Sequence, residues 1–177
     1  NWMGYFRTSV KAGATIEITK SYTKRVGVKR RGKKQKPSPE EIDKVNQMNA
    51  ERTLRLKINA NFGQDDPFVT LTYPKDKRPT PDQAKKDIKK VSDGLRKEFK
   101  KLGADLKWVC VTDSQNKAIH HHLIVNHIKN VDVSKMIRTL WKFGRPKFEY
   151  LDDTGQYKKL AAYLIKETSK TYKAKDG

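Results

Sequence analysis

The sequence predicts an α+β fold, and three observations carry that prediction. Strand-length runs rich in alternating or β-branched residues fall between amphipathic runs of helical period. Two of the strand-like runs, 106–113 and 119–126, are joined by a few polar residues, which favours an antiparallel hairpin. The chain of 177 residues is long enough for one domain around one core, and its 35% hydrophobic content is compatible with that.

The charge balance narrows the partners. There are 40 lysines and arginines against 20 aspartates and glutamates, a net charge of +20. Such an excess on one small domain points to a polyanion: nucleic acid first, an anionic membrane second. No apolar run approaches the ~18 residues that read as a bilayer span, so nothing is expected to cross a membrane. The single cysteine, Cys110, excludes internal disulfides and multi-cysteine zinc sites, and it fits a reducing cytosol.

Residues 1–13 show no clear pattern. Ala14, Ile16 and Ile18 then alternate with Thr15, Glu17 and Thr19, which predicts a half-buried strand. At about 20–37 lies a basic arm with Lys24, Arg25, Lys29, Arg30, Arg31, Lys33, Lys34 and Lys36, broken by Gly27 and Gly32. Its charge density favours a phosphate-gripping role over a solvated loop, with little base specificity of its own. Ser38-Pro39-Glu40-Glu41 is a helix start, with Ser38 as N-cap and Glu41 as its capping-box partner. This helix is expected to reach about Ala50 and to bury Ile42, Val45 and Met48. Leu54, Leu56 and Ile58 alternate with Arg55 and Lys57 and predict a strand. Pro67 to Pro74 brackets another, rich in β-formers.

Thr80-Pro81 opens the clearest amphipathic helix, with Ala84, Ile88, Val91, Leu95, Phe99 and Leu102 on one face. Residues 106–113 and the histidine run form the predicted hairpin. Val133 to Trp141 is a short helix capped by Asp132, and Phe148 to Leu151 an edge strand. A final helix covers about Gln156 to Thr171.

The hairpin holds the first chemical signal. His120, His121 and His122 are consecutive, and Leu123-Ile124-Val125 follow. On a strand, His120 and His122 share one face and His121 takes the other. Two imidazoles two residues apart form a metal half-site. With a turn over 114–119, Asp113 falls opposite His120 and is the expected third ligand, with Gln115 as fallback. Two imidazoles and a carboxylate suit Mn2+ or Mg2+ in work on phosphates, and Zn2+ could also bind. His127 shares the face of His121 and is read as structural.

The last helix supplies the second signal. Lys159, Tyr163, Lys166 and Lys170 stand at i, i+4, i+7 and i+11 and form one stripe, backed by Leu160, Ala161, Leu164, Ile165 and Thr168. A phenol with its pKa near ~10 is a poor nucleophile at neutral pH, and neighbouring ammonium groups favour its phenolate. Tyr163 is the candidate nucleophile, ahead of Tyr157 and Tyr172.

These motifs resemble those of the His–hydrophobic–His (HUH) endonucleases, specifically the rolling-circle replication initiator (Rep) proteins of plasmids, phages and single-stranded DNA viruses. Residues 68–73 look like the family's first motif, 119–122 like its metal motif, and Tyr163-Leu164-Ile165-Lys166 like its Tyr-x-x-Lys motif, in the family's order. The resemblance covers about residues 52–170. It implies a central antiparallel sheet of about five strands flanked by helices, HUH-type and related to ferredoxin-like and RNA-recognition sheets. It implies a single such domain over residues 1–177.

The expected activity is nicking and joining of single-stranded or extruded origin DNA. Tyr163 would form a 5′-phosphotyrosine, Lys166 would assist, and His120, His122 and Asp113 would hold Mn2+ or Mg2+. Lys24, Arg25, Lys29, Arg30, Arg31, Lys33, Lys34, Lys159 and Lys170 would grip DNA. A separate helicase is an expected partner, and the cytoplasm of a bacterial host the expected location. The rivals are an HUH transposase and a non-catalytic nucleic-acid-binding module.

Overall fold

The computed structural model describes residues 5–22, 36–114 and 118–173, without the side chains of Tyr22 and of 167–173. The arm residues Lys24, Arg25, Lys29, Arg30, Arg31, Lys33 and Lys34 lie outside the described residues, as do Gln115 and the Lys170 side chain. The elements are β1 (Tyr5–Ala12), β2 (Thr15–Tyr22), α1 (Pro39–Asn61), β3 (Pro67–Thr72), α2 (Pro81–Lys101), β4 (Trp108–Asp113), β5 (His120–Val125), α3 (Val133–Leu140), β6 (Lys147–Tyr150) and α4 (Lys158–Lys173).

Helix starts follow their caps. Ser38 Oγ accepts from the Glu41 N–H at 3.2 Å, and the Glu41 carboxylate accepts from the Ser38 N–H at 2.8 Å. Thr80 caps α2 through the Gln83 N–H, and Asp132 caps α3 through the Lys135 N–H. Each cap satisfies a backbone donor that the helix itself cannot pair.

Strands β4-β5-β3-β6 form one antiparallel sheet in that order, while β1 and β2 pair only with each other. The fold is α+β, with four strands in the central sheet rather than about five. The predicted strand at 14–19 exists within β2 but pairs with β1 as a separate ribbon. Residues 54–58 are not a strand, because α1 runs unbroken to Asn61. No glycine or proline interrupts it after Pro39. Leu54, Ile58 and Phe62 at spacing four all join one apolar cluster, so the helical period prevails over the short alternation.

Two further expectations are corrected. Ile42, Val45 and Met48 are exposed, since the first half of α1 has no layer against it. β1 was hidden in the unpatterned start, because a ribbon covered on one side only near its turn needs little apolar alternation.

The sheet is covered on both faces. Val69, Leu71, Leu123 and Val125 point to α2 and α3, meeting Val91, Leu95, Phe99, Ile137 and Trp141. Phe68, Val109, Val111 and Ile124 point to α1 and α4, meeting Ile58, Ala161 and Leu164. Successive residues of β5 therefore alternate between two cores, and this alternation decides where each histidine goes.

Candidate functional site

The β4–β5 register pairs Asp113 with His120, Thr112 with His121 and Val111 with His122. In β3, Thr72 lies beside His120 and Thr70 beside His122. On the α1/α4 side of the sheet, Asp113, His120, His122, Thr70 and Phe68 thus share one face. Helix α4 crosses that face, packed by buried Ala161 and Leu164.

That packing turns Tyr163 toward the histidines while leaving it 42% exposed. Its hydroxyl lies 3.0 Å from His122 Nε2, and the two rings meet edge-on at 5.2 Å. His122 Nδ1 lies 3.2 Å from Thr70 Oγ1, and Phe68 stacks on the ring at 5.6 Å. Burial, and then the neighbouring His120, push the His122 imidazole down to about 4, against the opposing pull of Asp113 and Glu149. The ring is therefore neutral at pH 7. With Tyr163 donating to Nε2, the ring proton sits on Nδ1 and points to Thr70.

His120 is set differently. Its Nδ1–H donates to the Ala118 carbonyl at 3.0 Å, and its Nε2 faces Asp113 Oδ2 at 3.9 Å. The His120 and His122 rings are 4.8 Å apart and perpendicular. Asp113 is fully buried at the floor of the site.

Among the described residues, no three His, Cys, Asp or Glu side chains converge as a ready ligand set. The donors still suit a divalent ion. His120 has one ring nitrogen held by a carbonyl and the other turned to a buried carboxylate, the arrangement that orients a ligating imidazole. His122 presents its Nε2 on the same face, where Tyr163 now occupies it.

The remaining histidines lie elsewhere. His121 is buried on the α2/α3 side, with Nδ1 2.8 Å from Thr112 Oγ1 and Nε2 3.1 Å from the Tyr73 hydroxyl. Tyr73 in turn reaches the buried Asp87, which Gln83 also contacts. His127 pairs with Asp66 at 2.7 Å, away from the site. Tyr157 is buried, its hydroxyl donating to the Asp152 carbonyl, so it is not placed to act. Lys159 and Lys166 are exposed on α4, on either side of Tyr163 in sequence.

Thr70, Phe68 and the Ala118 carbonyl were not singled out from sequence. Thr70 and Phe68 have the right strand parity, but only the β3–β5 pairing brings them to His122, and nothing local in the sequence encodes that pairing.

The span from residue 66 to residue 172 matches the model of the replication-associated protein ORF2 family. The chain belongs to that family. No curated protein and no solved structure gives a match. In this replication-associated protein, the matched span holds the whole four-stranded sheet, α2, α3 and nearly all of α4. The β1–β2 ribbon and α1 precede it. Among the described residues of this family member, no helix is long and apolar enough to cross a membrane.

Proposed function

We propose that this replication-associated protein is an HUH-type DNA strand transferase that opens and rejoins an origin strand to start rolling-circle replication. One observation carries the reading. The Tyr163 hydroxyl is hydrogen-bonded at 3.0 Å to His122, on the sheet face that also holds His120 and Asp113. A tyrosine, two imidazoles and a buried carboxylate converging on one basic domain are the parts of phosphodiester transfer.

Tyr163 Oη attacks the scissile phosphorus, the bond from phosphorus to the 3′ oxygen breaks, and the departing 3′ oxygen takes up a proton. The product is a 5′-phosphotyrosine, whose retained ester energy permits the reverse joining step. At about 4, His122 is too weak a base to hold a phenol proton, so its contribution is to aim the hydroxyl. Thr70 and Phe68 fix the plane of that ring. Lys166, one turn beyond Tyr163, steadies the phosphate, and Lys159 extends the same cationic side of α4. Asp113, His120 and His122 would hold Mn2+ or Mg2+, which supplies Lewis-acid polarisation of the phosphate when bound.

The substrate is single-stranded or extruded origin DNA, and a helicase on a separate chain would unwind ahead of the fork. Family membership supports the initiator reading over the transposase one. The test is denaturing electrophoresis and mass spectrometry after incubation with Mn2+ and a random-sequence single-stranded DNA library. A covalent adduct mapped to Tyr163, and lost in Tyr163→Phe, is the expected result. DNA binding without any adduct would instead identify a non-catalytic module.

A further inference from the structure

The β1–β2 ribbon is built inside out relative to its sequence pattern. Near its turn, one face docks on α1. Ala12 is buried there, Thr15 Oγ1 accepts from the Asn59 side chain at 3.0 Å, and Glu17 is paired with both Arg52 and Arg55. Gly13, at φ +56°, sits so close to α1 that a Cβ would lie 2.0 Å from the Asn59 carbonyl oxygen. The polar residues of β2 thus face inward. Ile16 and Ile18 face outward, 65% and 49% exposed.

By strand parity and register, that outward face also carries Tyr5, Arg7, Lys11 and Lys20. It contains three cations, no carboxylate, an exposed tyrosine and two exposed isoleucines. The ribbon's single acid, Glu17, is on the opposite face and already neutralised by α1. Beyond the docked end, residues 5–8 and 19–21 are exposed on both faces, so the ribbon projects from the body of the protein. A lone two-stranded ribbon is marginal in water, and exposed isoleucines add nothing to its stability, so the face is better explained by what it touches than by what it packs.

We propose that the outward face of the β1–β2 ribbon binds duplex DNA beside the strand that is opened. Arg7, Lys11 and Lys20 neutralise backbone phosphates. Ile16 and Ile18 meet apolar edges such as thymine methyl groups, in a groove wide enough for a two-stranded ribbon. The face rests on α1 rather than on the sheet, and it precedes the residues matched to the family, so it is a second DNA contact separate from the Tyr163 site. The choice of DNA as partner rests on the function proposed above.

The test titrates a short mixed-sequence duplex against the wild type, the triple variant Arg7→Ala/Lys11→Ala/Lys20→Ala, and a charge-matched control, Lys86→Ala/Lys97→Ala/Lys100→Ala on exposed positions of α2. Thermal melting confirms that all three are folded. The ribbon variant should lose at least about tenfold in duplex affinity, and its log–log salt slope should be shallower by about 2 to 3, while the control stays close to wild type. Equal losses in the two variants, or an unchanged slope in the ribbon variant, would overturn the proposal. So would loss of self-association rather than of duplex binding. Adduct formation by the wild type, measured in parallel, reports on the Tyr163 reaction alone, so the two proposals fail separately.

Discussion

Asp113 and His120 face each other across the β4–β5 hairpin, with carboxylate Oδ2 and imidazole Nε2 3.9 Å apart. That is beyond hydrogen-bond reach, and both groups are held by their surroundings, Asp113 by full burial and His120 by the Ala118 carbonyl. Asp113→Asn keeps the shape and removes the charge. Mn2+ affinity, read by electron paramagnetic resonance of the free ion, should fall by about 10- to 100-fold. Unchanged Mn2+ binding would remove Asp113 from the ligand set. A chelator should suppress adduct formation by the wild type.

Thr70→Val tests the aim of Tyr163. The swap conserves volume but deletes the partner of His122 Nδ1, at 3.2 Å. A net hydrogen bond of about 0.5–1.5 kcal/mol converts to adduct formation slower by roughly two- to tenfold. Single-turnover rates decide this, and a rate equal to wild type would deny Thr70 any role in orienting His122.

The pH dependence of stability follows from the two buried imidazoles. Burial holds both His121 and His122 down to about 4, whereas an unfolded histidine protonates near ~6.5. Between those values the unfolded chain binds more protons than the folded one. The stabilisation is therefore complete above about pH 6.5 and is lost as pH falls toward about 4, by at most about 3 kcal/mol per ring. Urea midpoints measured across this range should drop steadily on acidification. A midpoint that stays level would mean the rings are not buried as neutral groups.

The two halves of α1 should respond differently to truncation. Ile58 is fully buried against α4 and the sheet, so Ile58→Ala should cost about 2–5 kcal/mol. Met48 is exposed, and Met48→Ala should stay within about 0.5 kcal/mol. Chemical denaturation of the two variants checks the contrast, and equal costs would contradict the continuous helix.

Local chemistry made much of this legible in advance. Ser38, Thr80 and Asp132 announce their helices because a cap is a short-range device. The few polar residues between β4 and β5 fix a register in which Asp113 meets His120, and parity separates His121 from its neighbours. What stayed hidden depends on distant partners. Leu54-Arg55-Leu56-Lys57-Ile58 satisfies both a strand and a helix pattern over five residues, and only the α4 packing surface selects the helix. Ile16 and Ile18 read as a buried face, but Arg52 and Arg55, more than thirty residues on, draw Glu17 inward and turn them out. Thr70 reaches His122 only because β3 lies between β5 and β6.

The histidine triplet has one more consequence. A slip of one residue along β5 would exchange the two faces of that strand. An imidazole would be taken from Thr112 and Tyr73 in one core, and Ile124 from the apolar cluster in the other. Both layers would suffer at once, so the misaligned hairpin has no compensating gain. His121, which touches none of the Tyr163 site residues described, therefore acts as the proofreader of the strand that carries His120 and His122.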